Sequence, residues 1–449
     1  MANRRHLHLN LVGNDINLHF GAPAYEQRHH ADTALTDPFE RLMAYGRLGD
    51  EGLFTAVFLG DVPGMPNSPA FDGGPAEPIT ALSAMARETT NVGLIATAST
   101  TFYDPYTLAR LIASLDQASN GRAGLNAVTT AGDALALNYS RDSHPDRETR
   151  YRRATEFLDV TAALWANREV RCDPDGVTRY YATPINHNGE SFQVRGPLNV
   201  APSRQGRPLV AQAGGSGPGI KVAARHADMV FTAATTRERA AEYREDLDKA
   251  LADAGRPAGS VPAVPGLIPY IGRTAREAEE KMHALDDYVP WESVAPKALA
   301  QFGLEVPYDS VDDRFPFGSL PKPADVENTI KSTFGNYVGL YDWIEAHPDA
   351  TVRDVAAQSL GRGGAQHRKF VGSYDDIVDD FDQWFTDGNV GGFNLMFPFG
   401  PASIRGVHRR GDSAADRPGD PPGHTRRAAV AGTLRRRAVT PAGSNSGRQ

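Results

Sequence analysis

The sequence predicts an α/β protein, a (β/α)8 TIM-type barrel with insertions, and three observations lead there. Short β-branched or apolar runs alternate with helical patterns along most of the chain, the signature of βα units around a parallel sheet. Eight such runs can be counted, which suits closure into a barrel better than a doubly wound open sheet of about five to seven strands. The residues after the first run, Gly13-Asn14-Asp15, also lack the glycine-rich fingerprint that opens a dinucleotide-binding sheet.

The eight runs are residues 6–12, 54–60, 92–98, 125–130, 209–213, 229–232, 267–271 and 393–397. They are short and rich in Val, Ile, Leu or Phe, as strands covered on both faces must be. Helical stretches are read at 38–48, 78–88, 106–119, 151–165, 219–226, 237–254 and 275–288. Three helix starts pair a hydroxyl with an acid three residues on, so that the oxygen can take an orphan amide: Thr235 with Glu238, Thr274 with Glu277, and Ser373 with Asp376.

Two segments interrupt this rhythm. Residues 166–207 are polar, with hairpin-like runs at Tyr180-Tyr181 and Ser191-Phe192-Gln193-Val194, and residues 289–371 hold short helical pieces and a Pro-rich turn. Barrel insertions sit near the active-site mouth, so both are expected to shape substrate specificity. The barrel is expected to occupy 1–400. Residues 401–449 form a low-complexity Arg/Pro/Gly/Ala tail in which Pro418, Pro421 and Pro422 interrupt any helix. That tail is expected to be disordered, or to arise from a shifted reading frame that replaced the eighth helix.

Composition narrows the function classes. A net charge of −8 gives no electrostatic reason to bind nucleic acid, which calls for a clustered basic surface. The single Cys172 forms no internal disulfide, and no Cys/His spacing suggests a metal site. A reducing, cytoplasmic setting fits. No run approaches the ~20 apolar residues of a membrane helix, so a soluble protein is expected.

A series of short motifs then points to a family. They include Glu51-Gly-Leu-Phe-Thr-Ala-Val-Phe-Leu-Gly-Asp61, residues 97–106 running into Ala109-Arg110, and Gly121-Arg122-Ala-Gly-Leu-Asn126. They continue with Arg150-Tyr151, Gly196-Pro197-Leu198, Gln205-Gly206-Arg207-Pro208, Gln212-Ala-Gly-Gly-Ser216 and Gly392-Phe-Asn-Leu395. In this order they resemble the bacterial luciferase-like flavin monooxygenases, in the branch holding the large components of nitrilotriacetate and dibenzothiophene-sulfone monooxygenases. The resemblance covers roughly residues 35–400. It implies a cytoplasmic two-component enzyme in which reduced FMN arrives from a separate NAD(P)H:flavin reductase. The flavin reacts with molecular oxygen, and its C4a-hydroperoxide oxidises a small organic substrate. A homo-oligomer is also implied. Because the cofactor carries the chemistry, no acid/base pair or nucleophile motif need announce itself.

The resemblance transfers roles residue by residue. Asp61 ends the second strand, where a barrel places active-site residues, and its counterpart contacts the flavin; on position alone it could equally be a helix cap. Thr97 matches a flavin-contacting hydroxyl, with Ser99 and Thr101 as neighbours able to take its place. Asn126 lies in an apolar run and needs a partner, either the polar edge of the flavin ring or a neighbouring strand. Ser216, in the glycine-rich turn into a helix, matches the phosphate-binding serine. Tyr151 matches a tyrosine near the phosphate, and Arg147 stands where relatives have His, with His144 as an alternative. His19 is the remnant of a His-Gly-Ala-Trp-Arg segment, here His19-Phe-Gly-Ala-Pro-Ala, and is the one catalytic candidate. Two other readings compete: a deazaflavin F420-dependent oxidoreductase of the same superfamily, and a catalytically silent flavin-binding barrel. A glycosidase would need two carboxylates at strand ends, and only Asp61 is so placed.

Overall fold

The computed structural model describes residues 6–13, 18–30, 37–64, 76–130, 133–215, 217–300, 306–326, 334–364, 367–398 and 400. The tail 401–449 lies outside them.

Eight parallel strands close on themselves: β1 (His8–Val12), β2 (Ala56–Leu59), β3 (Gly93–Ser99), β4 (Ala123–Val128), β5 (Leu209–Ala213), β6 (Met229–Thr232), β7 (Ala263–Gly272) and β8 (Gly392–Leu395). Closure is made by Asn10 opposite Asn394 between β1 and β8, and by Val230 opposite Ala263 between β6 and β7. All eight expected strands are present, so the chain is a (β/α)8 barrel.

Alternation along the strands separates two cores. Leu11, Val57, Leu94, Leu125, Val210, Leu267 and Leu395 pack outward against the helices. Val12, Phe58, Ile95, Ala211, Met229, Ile268 and Met396 fill the interior. Two-residue side-chain periodicity places Asn10, Thr97, Asn126 and Asn394 on that interior side, which gives the barrel an unusually polar centre.

The longer helices are α1 (Ala22–His29), α2 (Pro38–Glu51), α3 (Pro78–Glu88), α4 (Pro105–Ala118), α5 (Arg147–Ala166), α6 (Gly217–His226), α7 (Arg237–Asp253), α8 (Ala275–Asp286), α9 (Trp291–Ala300), α10 (Phe334–Ala346) and α11 (Tyr374–Thr386), with short ones at Asp133–Ala136, Pro323–Val326 and Val352–Ala356. Helices α2, α3 and α4 share one start: an acid at the cap, Asp37, Glu77 or Asp104, accepts first-turn amides, and a proline follows with its φ already helical. Helix α5 begins at Arg147 and not at Tyr151 as the sequence suggested, because Asp146 caps it by accepting from the Thr149 amide. The cap of α7 is likewise Thr236 and not Thr235. Thr274 caps α8, but the Glu277 carboxylate returns to the Arg273 amide. The Ser373–Asp376 box is reciprocal, as expected, and a second box at Thr351–Asp354 went unread in the sequence.

The 166–207 segment forms two antiparallel hairpins, Arg168–Cys172 with Thr178–Ala182 and His187–Asn188 with Gln193–Val194. The 289–371 segment has its own core, built on Trp291, Val311, Phe315, Tyr337, Leu340 and Val355. It ends in a strand that the sequence did not suggest. Residues Arg368–Ser373 pair in parallel with the second half of β7, Ile268 opposite Lys369 and Tyr270 opposite Val371. Among the described residues no helix is long and apolar enough to cross a membrane.

Candidate active site

The C-terminal ends of the strands gather a group of buried and half-buried polar side chains, at the end of the barrel where folds of this type place their active sites. On the β2–β4 side, Asp61 lies just past β2, half-buried, and faces the Glu77 carboxylate that caps α3. Burial first, and the Glu77 charge second, push its carboxyl up to about 6, against a hydrogen bond from the Val62 amide. Burial with the charges of Glu77 and Asp61 likewise pushes the Tyr103 phenol up to about 12. Tyr139 completes this acidic corner, its ring stacked on Phe102 at 4.2 Å.

Thr97 and Asn126 are direct partners across β3 and β4, and both are buried. Asn126 Nδ2 donates to Thr97 Oγ1 at 3.0 Å, while Asn126 Oδ1 has no partner among the described residues. Across the barrel, Asn10 Nδ2 donates to Asn394 Oδ1 at 2.8 Å, and Asn394 Nδ2 to the Val264 carbonyl at 2.9 Å. At the rim, Thr130 Oγ1 donates to Ser99 Oγ at 2.6 Å, and Thr101 Oγ1 is buried without a partner among the described residues. Thr97, Ser99 and Asn126 are therefore gathered on one wall.

Arg150 bridges the next loops, donating to His144 Nε2 at 2.7 Å and to the Thr130 carbonyl at 2.9 Å. Arg147, one turn earlier, is exposed on the first turn of α5. Tyr151 is half-buried and lies near Tyr243, whose hydroxyl donates to the Gly214 carbonyl at 2.9 Å. The structure thus brings Tyr151 toward the glycine-rich turn. Ser216 itself lies outside the described residues.

His19 is fully buried, and both ring nitrogens are engaged. Its Nδ1 accepts from the Gly21 amide at 3.1 Å, which fixes the proton on Nε2, 3.1 Å from Asp286 Oδ1. Asp286, at the end of α8, also receives the Arg362 guanidinium, with Nε at 3.0 Å from Oδ1. Despite burial, these two donors draw the Asp286 carboxyl down to about 2. Burial holds the His19 imidazole below its ordinary value, outweighing its bond to Asp286. His19 therefore joins β1 to the 289–371 segment and leaves no ring nitrogen for a substrate.

The strand Arg368–Ser373 brings residues that no spacing motif had singled out. His367 packs over the interior with its ring 5.5 Å from Phe231, which in turn sits edge-on to Phe58 at 5.5 Å. It fits because residue 266 is glycine: a methyl there would come within 2.3 Å of His367 Nδ1. Lys369 follows, on the same face as Ile268. Beside them opens a cavity of about 730 Å³, lined by residues that include Gly215, Thr232, Tyr243, Trp343, Gln358 and Lys369.

The sequence and the fold both have counterparts among known proteins. The family model for luciferase-like monooxygenases matches residues 18–324. The chain belongs to that family. N-acetyl-S-(2-succino)cysteine monooxygenase of Bacillus subtilis (strain 168) is 36% identical over 337 residues, 73% of this chain and 74% of that protein. Nitrilotriacetate monooxygenase component A of Aminobacter aminovorans is 36% identical over 343 residues, 73% of this chain and 72% of that protein. Among solved structures, EDTA monooxygenase from Chelativorans sp. BNC1 superimposes with a TM-score of 0.71 at 27% identity, covering 97% of this chain and 95% of that one. The chain is accordingly an oxygenase, and this luciferase-like monooxygenase carries its polar mouth where the family's barrel fold places an active site.

Proposed function

We propose that this luciferase-like monooxygenase is the oxygenase component of a two-component system, binding reduced FMN supplied by a separate NAD(P)H:flavin reductase. One observation carries the reading: the buried Asn126 Oδ1 has no hydrogen-bond partner among the described residues, although its amide nitrogen is held by Thr97. A buried carbonyl left without a donor costs about 1–3 kcal/mol, so the site asks for a ligand N–H. A flavin ring edge offers one. Bound reduced FMN would supply the electrons and the carbon at which oxygen is activated.

The residues of this chain supply the rest. Asn126 and Thr97 hold the ring edge on one wall, and Asp61, which titrates near neutrality, faces it from the end of β2. Tyr151, Arg147 and Ser216 take the phosphate at the turn that precedes α6. His19 acts by position, tying the roof to the barrel through Asp286 and Arg362 so that water is excluded. The barrel occupies 1–400, with the insertions 166–207 and 289–371 forming the walls and roof. The relatives at 36% identity are monooxygenases, which favours this reading over a deazaflavin oxidoreductase.

Anaerobic titration tests it. Reduced FMN is expected to bind more tightly than oxidised FMN, the deazaflavin F420 not at all, and Asn126→Val to weaken FMN binding about tenfold or more. Tight F420 binding with no response to reduced FMN would overturn the reading.

A further inference from the structure

We propose that Lys369 anchors a carboxylate of the organic substrate in the cavity between β6, the strand Arg368–Ser373 and α10. This rests on the oxygenase reading above and adds to it the chemical class of the substrate.

Register puts the side chain there. Ile268, the partner of Lys369 on β7, belongs to the interior core, and Val371, two residues on, packs against the same cluster. Paired residues of a parallel sheet share a face, so Lys369 points to the mouth and not to the helices. It also lines the cavity directly.

Charge then singles it out. Arg239 on the cavity wall is paired with Asp342 at 3.1 Å, and Arg368 holds Asp380 through two hydrogen bonds. Lys369 has no carboxylate partner among the described residues. Its ammonium donates to the carbonyls of Gln358 at 3.1 Å and Gly364 at 2.9 Å. An ammonium carries three N–H donors, so one is left for the cavity. Burial, with the Arg362 charge behind it, holds this amine down to about 7, and a carboxylate bound beside it would favour the charged form. A structural lysine serving only to pin the loop at 358–364 would be better placed with its charge at the surface, because burying an unpaired charge is costly. A single cationic donor without a carboxylate partner, in a cavity that also presents Trp343 and Ala346, suits one monoanionic oxygen group on an otherwise organic molecule. A phosphate dianion would call for a larger set of donors.

Direct binding to the full-length protein decides the matter. Calorimetric titrations would compare succinate with succinamide, and nitrilotriacetate with its triamide, on wild type, Lys369→Met and Lys369→Arg, with reduced-FMN affinity measured separately on each. Lys369→Met removes a buried charge while keeping the stem, so its Tm is expected to match or exceed that of wild type. The wild type is expected to take the carboxylates and not the amides. Lys369→Met should lose about tenfold or more in carboxylate affinity, Lys369→Arg should recover part of it, and FMN affinity should stay within about twofold. Equal carboxylate binding by wild type and Lys369→Met would overturn the proposal, as would a wild type indifferent to every carboxylate. A variant that loses FMN and keeps the carboxylates would assign Lys369 to the flavin phosphate instead. Failure of the wild type itself to bind reduced FMN would count against the oxygenase reading, and the carboxylate arms would still report on Lys369.

Discussion

Replacing Asp286 with asparagine should show how firmly the roof is tied to the barrel. Asp286 holds the Nε2–H of His19 on one side and the Arg362 guanidinium on the other, and its side chain is 13% exposed. Its carboxyl falls from the usual 3.8 to about 2 on folding. That depression corresponds to about 2.5 kcal/mol of stability at pH 7. That contribution is complete above the unfolded value and is lost as pH falls through the folded one: nearly full at pH 4, about half gone at pH 3. Asparagine can still accept from His19 but carries no charge for Arg362. With about 2.1 cal/mol/K of unfolding entropy per residue over roughly 400 folded residues, the loss corresponds to about 3 °C in Tm. Thermal melts of wild type and Asp286→Asn at pH 7 and pH 3 read it out, with a gap of about 3 °C at the first and about half that at the second. An equal gap at both pH values would show that packing, and not the ionised carboxylate, ties the roof down.

Gly266→Ala should push His367 off Phe231, since the new methyl would lie 2.3 Å from its Nδ1; a destabilisation of about 1–3 kcal/mol is expected by chemical denaturation. Asp61→Asn should raise the Tm relative to wild type at pH 8 and raise it much less at pH 4. Folding pushes the carboxyl from 3.8 up to about 6, so the penalty on the native state builds as pH rises from about 3.8 toward 6 and is complete above that, and a constant difference between the two melts would show that Asp61 is not held by burial and Glu77. His367 is buried and drawn down to about 4, so the unfolded chain takes its proton first and stability falls as pH drops from about 6.5 toward 4; His367→Gln should flatten that part of the stability profile. Cys172 is exposed on a hairpin strand, so a maleimide should modify the native protein once without changing its Tm.

The strands were readable because each is a short apolar run covered on both faces, a pattern set by local burial. Asp61, Thr97 and Asn126 were singled out mainly by the resemblance of the motifs around them, and what the structure adds is that Thr97 and Asn126 are buried neighbours on adjacent strands while Asp61 lies just past the end of β2. Helix caps shifted by small steps, from Tyr151 back to Arg147 and from Thr235 to Thr236, because the acid at residue 146 and the choice between adjacent threonines depend on loop geometry. The partnership of His19, Asp286 and Arg362 had no such signature. Its members lie 267 and 76 residues apart in pairs, and only the folded insertion brings them together.

The strand Arg368–Ser373 was missed for a reason that bears on how the site is divided. Arg-Lys-Phe-Val-Gly-Ser has too few apolar residues to look like a buried strand, and it is polar because it lies at the mouth, where side chains meet a cavity and not a core. The same property makes it suited to reading a substrate. The wall of Asp61, Thr97 and Asn126 belongs to β2, β3 and β4, whereas Lys369, His367 and Arg362 all come from the end of the insertion and the strand that follows it. Gly266 and Phe231 of the barrel accommodate His367, one by lacking a side chain and the other by offering a ring, and Asp286 holds Arg362. A barrel arranged this way can change the charge and shape of its substrate cavity by altering 289–371 and the adjoining strand, while the wall assigned to the cofactor stays as it is. Relatives with differently named substrates are consistent with that separation, and it makes Lys369, not the residues of the opposite wall, the first position to vary when the substrate is sought.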